Sequence, residues 1–454
     1  MRCGAPAERA SQSRVASLAL PIAVGLVNES VLSLVALATL SRVSVAAVAA
    51  AGAVSYLFAL LGALSQVFMN GVMVLASQAL GARREGVASR VIGETLSFST
   101  AASLLVVCSS PLWLEGYLWV VSRGNSEVVD VGLRYAAARI LSAPATMVGS
   151  VLSAAYRCGG RPWPAALSSV VSAAAGSILI PGLALGWAGL EPMGALGAGL
   201  GASLASYVGL ASYALFEPPI PIRPSIRPGR LALAAVATGS PLAAERLAAS
   251  AAQNVYINAV ARGGTEALAA HNIGVTVEML IIQPSFAVGL ATLIEAGRAV
   301  GAASPESASR VVREGAKIGV AWMGAAAALL ASLSPLVGGI FVDDPLVERL
   351  TMIYLLMAAA SEVGLGLSSA IFGAIRGMGR VELPTLITIA SVVLLRALPA
   401  QILAASHGAP GAWATQITDC YGRALLGLAA WRLLGTGRLA RKLVEGPGTP
   451  SPPS

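Results

Sequence analysis

The stretch Gly81-Ala82-Arg83-Arg84-Glu85-Gly86-Val87-Ala88-Ser89-Arg90-Val91-Ile92-Gly93-Glu94 decides how this chain is read, because its pattern occurs twice. Gly81-Ala82, Ala88-Ser89-Arg90-Val91 and Glu94 return 220 residues later as Gly301-Ala302, Ala308-Ser309-Arg310-Val311 and Glu314. At the same offset Pro21 falls on Pro241, and Ala47, Ala49 and Ala50 fall on Ala267, Ala269 and Ala270. A further block, Arg157-x-x-Gly160-Arg161, returns as Arg376-x-x-Gly379-Arg380, one residue out of step. Matched alanines mean little in so Ala-rich a chain. A block that mixes Gly, Ala, Ser, Arg, Val and Glu in fixed order points to duplication. A duplicated chain implies two similar lobes, with a site inside or between them.

Composition sets the solvent. The chain has 454 residues, of which 56% are hydrophobic and 11% charged, against about 25% charged in soluble domains. The shortage of charge runs along the whole chain, so the expectation is an all-α polytopic membrane protein. Met1–Arg14 does not read as a cleavable signal peptide, because the apolar run after it continues as a span. The net charge of +8 sits in short connectors and reflects topology rather than nucleic-acid binding. Four scattered cysteines without a CxxC, and two distant histidines (His271 and His407), suggest no disulfide framework, no zinc site and no cofactor.

Twelve apolar stretches are long enough to cross a bilayer: 15–40, 45–77, 91–118, 130–156, 163–188, 193–216, 239–261, 267–296, 311–341, 346–375, 384–405 and 410–434. Turn chemistry separates them at Ser122-Arg123-Gly124-Asn125, Gly263-Gly264 and His407-Gly408-Ala409-Pro410. The connectors alternate in charge. One set carries Arg2, Arg9 and Arg14, Arg83, Arg84 and Arg90, Arg157 and Arg161, Arg223, Arg227 and Arg230, Arg310, Arg313 and Lys317, Arg376 and Arg380, and Arg438, Arg441 and Lys442. The other holds little beyond Arg42, Arg123, Arg262 and Arg349, with Glu127, Asp130, Asp343, Asp344 and Glu348 nearby. The positive-inside rule puts the first set and both termini in the cytoplasm. Six spans per copy give both halves the same orientation, related by a pseudo-two-fold axis along the membrane normal.

The expected organisation is a cytoplasmic N-terminus (1–14), an N-lobe of six spans (15–217), a Pro-rich cytoplasmic linker (218–230), a C-lobe of six spans (231–434) and a disordered cytoplasmic tail (435–454). In the linker, Glu217-Pro218-Pro219-Ile220-Pro221-Ile222-Arg223-Pro224 is too proline-rich for helix and reads as a stiff, extended strap. Leu231–Ala237 reads as a short interfacial helix ahead of the span bearing Pro241, and Gly446–Ser454 as disordered.

The repeated block is also where the chain resembles a known family. Gln78-Ala79-Leu80-Gly81-Ala82 with Arg90, Leu268-Ala269-Ala270-His271-Asn272-Ile273, Arg376-Gly377-Met378-Gly379-Arg380 ahead of Pro384, and Gly411-Ala412-Trp413 resemble segments of multidrug and toxic compound extrusion (MATE) transporters. The resemblance runs from about Pro21 to Trp431. It implies two six-helix lobes around a cleft, exporting cationic or amphipathic compounds by alternating access, driven by inward Na⁺ or H⁺. It also implies departures. Positions where many relatives carry an acid in span one, and an Asn-x-x-x-Asp-Pro pattern in span five, are here Ala36, Gly176 and Ile180. The amino-lobe proton site of such relatives is therefore not expected.

A charge at mid-bilayer costs about 2.5–3.5 kcal/mol on the insertion scale, so acids kept there need a reason. Glu29 remains in span one, with Asn28, Gln66 and Asn70 nearby. The carboxy half holds Glu245, Glu278, Glu362, Arg396 and Asp419, and Asn254 and Asn258 share one face of span seven. The expectation is that Glu245, Glu278 and Glu362 converge as the coupling-cation site, with Glu29 in the pseudo-symmetric place of the other lobe. Carboxylate oxygens suit Na⁺ directly, and a carboxyl withdrawn from water can carry H⁺. No metal beyond a possible Na⁺ is expected. The family resemblance includes a variant with its cation acids on spans seven and ten. Alignment puts those positions on Ala249 and Leu365, the latter about one turn from Glu362.

Structural readings stand beside these. Glu245, next to Arg246, can simply snorkel, Glu278 can be a hydrogen-bonded structural acid, and Arg396 with Asp419 can form one buried ion pair. Glu295 and Arg298 read as a local salt bridge, and His271 as structural. Pro21, Pro144, Pro241, Pro284 and Pro399 can kink or hinge their spans, Pro21 and Pro241 being the hinge candidates. The functional expectation is a monomeric, cation-coupled exporter of small molecules in the plasma membrane. The alternatives are a lipid or lipid-linked oligosaccharide flippase of the same superfamily, whose cleft should be more basic, and a transporter that has lost coupling. A membrane enzyme is disfavoured, since no paired-His, HExxH or GxSxG pattern occurs.

Overall fold

The computed structural model describes residues 5–223 and 229–443. The tail expected at Gly446–Ser454, Pro224 of the linker and the Glu29 side chain lie outside the described residues. Among the described residues the chain is all-α. Its helices are α1 (Ala5–Val43), α2 (Val45–Gly81), α3 (Glu85–Val121), α4 (Ser126–Ile140), α5 (Ala143–Cys158), α6 (Trp163–Leu185) and α7 (Gly194–Ser212). The second half follows with α8 (Arg230–Ala261), α9 (Thr265–Ile281), α10 (Gln283–Gly301), α11 (Pro305–Phe341), α12 (Pro345–Gly377), α13 (Glu382–Ser391) and α14 (Leu398–Leu439).

Among the described residues nine helical runs are long and apolar enough to cross a membrane, ten when the bent pair α4 and α5 counts as one span. One of them, Glu382–Leu439, is 58 residues long. Gly408, at φ 63°, breaks it into spans eleven and twelve at the expected turn. With that split and the 32-residue α8, the described helices supply the twelve expected spans. The other expected turns also carry their chemistry. Asn125 accepts a hydrogen bond from Val128 N at 3.2 Å to cap α4, and Gly264 takes φ 95° ahead of α9.

The repeat is a repeat of geometry. After α2, Ala82 N bonds Gln78 O at 3.0 Å, Arg83 N bonds Leu80 O at 3.0 Å and Arg84 N bonds Ala79 O at 2.9 Å. After α10 the same three bonds recur 220 positions on, from Ala302 to Arg298 (2.9 Å), Ala303 to Val300 (2.9 Å) and Ser304 to Ala299 (3.0 Å). Both turns place a non-glycine residue in the left-handed region, Arg83 at φ 57° and Ala303 at φ 54°. The two helix ends also lie against each other. A Cβ at Gly81 would sit 2.0 Å from the Arg298 carbonyl oxygen, and one at Gly301 would sit 2.0 Å from that of Gln78.

The chain forms two compact units that cut across its helices. One holds residues 5–23, Ser77–Arg84 and the described residues from Ser240; the other holds Val24–Ala76 and Glu85–Gly239. The unit boundary in α1 falls two residues after Pro21, and that in α8 falls two residues before Pro241.

Within the second of these units the repeated block anchors the linker. Ser89 donates to the Pro221 carbonyl, and the Glu94 carboxylate accepts from Leu231 N at 3.0 Å and Ala232 N at 3.3 Å. Those amides belong to the first turn of α8, which has no intrahelical acceptors for them. A carboxylate there satisfies them and favours the positive end of the helix dipole. The short separate helix expected at Leu231–Ala237 does not form. These residues are the opening turns of a continuous α8, because nothing between Leu231 and Pro241 breaks the run. Glu94→Ala should therefore destabilise the protein by about 1 kcal/mol. Hydrogen exchange should rise at Leu231 and Ala232, and unchanged protection there would refute the cap.

Candidate functional site

Four helical segments of the first unit bring polar side chains to one buried place. Glu278 on α9 is 8% exposed and both of its oxygens are occupied: Tyr354 of α12 donates its hydroxyl at 2.5 Å, and Gln416 of α14 donates its amide at 2.6 Å. The same amide nitrogen lies 3.2 Å from the Ser361 hydroxyl. Arg396, in the turn of π-helix between α13 and α14, donates to the Gln416 carbonyl oxygen at 3.1 Å. Gln416 thus bridges Arg396 and Glu278. The Arg396 guanidinium also lies 4.5 Å from the Tyr256 ring centroid, a cation–π contact. His271 sits between the edges of Tyr256 (5.7 Å) and Tyr354 (5.2 Å), and Tyr354 packs on Trp413 at 5.4 Å.

Glu362 lies one residue beyond Ser361, whose hydroxyl meets the Gln416 amide that holds Glu278. It is fully buried, and among the described residues neither carboxyl oxygen has a hydrogen-bond partner. An ionised carboxylate in that state is strongly disfavoured, so a bound proton or a small cation is what the site calls for.

The position of Arg396 follows from local sequence. Pro399 has no N–H, so the carbonyl four residues earlier, at Leu395, loses its helical donor. The Thr418 hydroxyl supplies one across spans eleven and twelve at 2.9 Å. The ladder loosens into the π turn Val392–Ala397, which contains Arg396.

Two expectations need correction. Glu245 does not join Glu278 and Glu362. It pairs with Arg376 at 2.6 Å and accepts from the Thr385 hydroxyl at 3.1 Å. Arg396 and Asp419 do not form an ion pair with each other. Asp419, fully buried, pairs with Arg423 one helical turn on and accepts from Ser391 at 2.7 Å. Glu295 and Arg298 form the expected local bridge at 2.8 Å. Asn254 and Asn258 are both exposed, Asn254 donating back to Ser250 O at 3.0 Å. Sequence reasoning missed Tyr256, Tyr354, Ser361 and Gln416. The available signal was a glutamine inside an apolar span, three residues from Trp413 and from Asp419.

The second unit has a different character. Ala36 and Ile180 lie in one apolar cluster with Leu40, Val54 and Leu114. A Cβ at Gly176 would meet Leu32 Cδ1 at 2.1 Å. The three positions where the resemblance places polar and acidic groups are thus packed with hydrocarbon. Apart from this cluster, a cavity of about 380 Å³ opens where α4 and α5 meet at 41°. Its walls include Phe58, Gln66, Met69, Arg139, Ser142 and Arg157.

The MatE family model matches residues 21–181 and 241–402, two copies starting 220 residues apart. The chain belongs to this family. It is 26% identical over 248 residues to the probable multidrug resistance protein NorM of Thermotoga maritima, a match covering 53% of each protein. The chain thus spans about half the length of that curated relative. Among solved structures, a MATE transporter in complex with MaD3S superposes with a TM-score of 0.86 at 19% identity, covering 94% of this chain and 97% of the other. A MOP superfamily transporter from Pyrococcus furiosus gives 0.83 at 19% identity over 95% and 97%; its binding pocket is described as reversed in polarity, suggesting a different function. The MatE chain therefore has the twelve-helix, two-lobe fold of these transporters and is a multi-pass membrane protein.

Gly274 on α9 faces the Tyr354 ring, and a Cβ there would fall 2.1 Å from Tyr354 Cδ1. Gly274→Ala should displace Tyr354, break its bond to Glu278 and cost about 1–3 kcal/mol. A thermal midpoint equal to the parent's would show that this packing is not needed.

Proposed function

We propose that the protein is a secondary active exporter of amphipathic organic compounds. In this reading it is coupled to Na⁺ or H⁺ at the Glu278–Glu362 pair and works by alternating access. The observation that carries the proposal is Glu362, fully buried and without a donor, beside Glu278 with both oxygens held by neutral donors. A cation entering between them would remove the cost of the uncompensated charge, so occupancy would change which conformation is favoured. The curated relative named as a probable multidrug resistance protein supports export as the direction of transport and lends nothing to the flippase alternative. Pro21 and Pro241, each two residues from a unit boundary, are the proposed hinges. The connector arginines orient both termini to the cytoplasm of the plasma membrane. Glu245 and Asp419, bound to Arg376 and Arg423, are structural in this scheme.

The test is dye efflux from vesicles with imposed Na⁺ or H⁺ gradients, comparing the parent with Glu278→Gln and Glu362→Gln. Each variant should slow gradient-driven flux at least tenfold, about 1.4 kcal/mol of lost coupling, while leaving dye binding intact. Parental flux from both variants would sink this coupling site.

A further inference from the structure

We propose that the cavity between α4, α5 and their neighbours in the second unit binds the acidic group of a soluble organic anion, with Arg139 as the residue that recognises it. The inference rests on the exporter reading only in calling that anion cargo; binding itself is independent of it.

Arg139 lies near the middle of the span expected at 130–156, at the end of α4 where the pair bends. A guanidinium held so deep in a membrane requires compensation and marks a site. Its described partners are neutral. Nη1 donates to the Tyr135 hydroxyl at 2.5 Å, and Cζ lies 4.6 Å from the Phe58 ring centroid and 5.7 Å from that of Tyr135. These contacts orient the group without cancelling its charge, and they use one of its five N–H donors. No carboxylate occurs among the described side chains that line the cavity, and Arg157 lines it as well. A planar guanidinium fork matches a carboxylate, sulfonate or phosphate through two parallel hydrogen bonds.

The other polar walls narrow the ligand further. Ser142, Thr146, Ser150 and Ser206 each donate to a backbone carbonyl, at 2.7, 2.9, 2.7 and 3.0 Å. Their protons are engaged, so what they offer a ligand is lone pairs. A molecule suited to this cavity has an acid for Arg139, O–H or N–H donors for the hydroxyls, and an apolar body against Leu32, Phe58 and Met69. At about 380 Å³ the space falls in the range of small-molecule sites. The span acids Glu245, Glu278, Glu362 and Asp419 do not argue for cationic cargo here, since all four lie in the other unit.

The experiment measures dye binding by fluorescence polarisation to the full chain in phosphatidylcholine nanodiscs, without any gradient. The probes are carboxyfluorescein, an acid with hydroxyl donors, and ethidium, a cation. The parent should bind carboxyfluorescein in preference to ethidium. Arg139→Gln should weaken carboxyfluorescein at least tenfold and leave ethidium within twofold. Arg139→Lys, keeping the charge and losing the fork, should fall between. A parent that prefers ethidium or binds no carboxyfluorescein overturns the proposal, as does parental affinity in Arg139→Gln or equal loss of both dyes. Should Arg139→Gln fail to fold, Arg139→Lys with a parental thermal midpoint decides, and unchanged affinity refutes the site. Displacement of the dye by added phosphatidylglycerol would assign the cavity to a lipid headgroup and overturn the soluble ligand. Binding that follows Arg139 in a protein moving no dye under any gradient would sink the exporter reading and leave this site standing.

Discussion

Two backbones meet where no side chain fits. Gly81 rests on the carbonyl of Arg298, and Gly301 rests on that of Gln78, so one contact is made twice with the partners exchanged. Small residues are what permit helices to approach this closely in lipid, where apolar side chains gain nothing by leaving the hydrocarbon. The same junction fixes more than two helix ends. The Gln78 side chain donates to Gly377 O at 3.1 Å and to Arg441 O at 3.2 Å, and accepts from Leu443 N at 2.9 Å. The end of α12 and the strand of chain after α14 are therefore tied to the place where the repeated turns abut. Backbone groups left without intrahelical partners at these helix ends find partners there.

Much of the fold was legible because its causes are local. Span length, the left-handed glycines at 264 and 408, and the Asn125 cap each depend on a few neighbouring residues. The Glu295–Arg298 bridge was readable for the same reason. What stayed hidden depends on how helices are rotated about their own axes. Tyr354 and Gln416 are ordinary residues in their own spans, and only packing turns both toward Glu278. Asp419 shows the limit from the other side. Its partner Arg423 stands four residues away, a spacing visible in the sequence, yet the more distant Arg396 drew attention because a buried arginine demands explanation. Arg139 stands amid the alanines of its span, where no neighbour in sequence signals a cavity.

The two units carry opposite chemistry. In the first, Glu245, Glu295 and Asp419 are paired with arginines and Glu278 is held by neutral donors, while Glu362 has no hydrogen-bond partner among the described residues. The second has hydrocarbon at Ala36 and Ile180 and guanidinium groups around its cavity. The duplicated sequence has thus diverged in polarity while its two repeated turns keep the same backbone hydrogen bonds. The divergence is sharpest where lipid makes charge most expensive, so each retained ionisable group there is informative.

The hydroxyl of Thr418 on the Leu395 carbonyl does more than satisfy an orphaned acceptor. It rivets spans eleven and twelve together halfway along their length, beside the π turn that carries Arg396. Arg396 in turn holds Gln416, which belongs to span twelve. The Ser391 hydroxyl on Asp419 ties them a third time, and a pair joined at three points cannot swivel about any one of them. Any motion that reaches Glu278 through Gln416 must move both spans as one rigid lever.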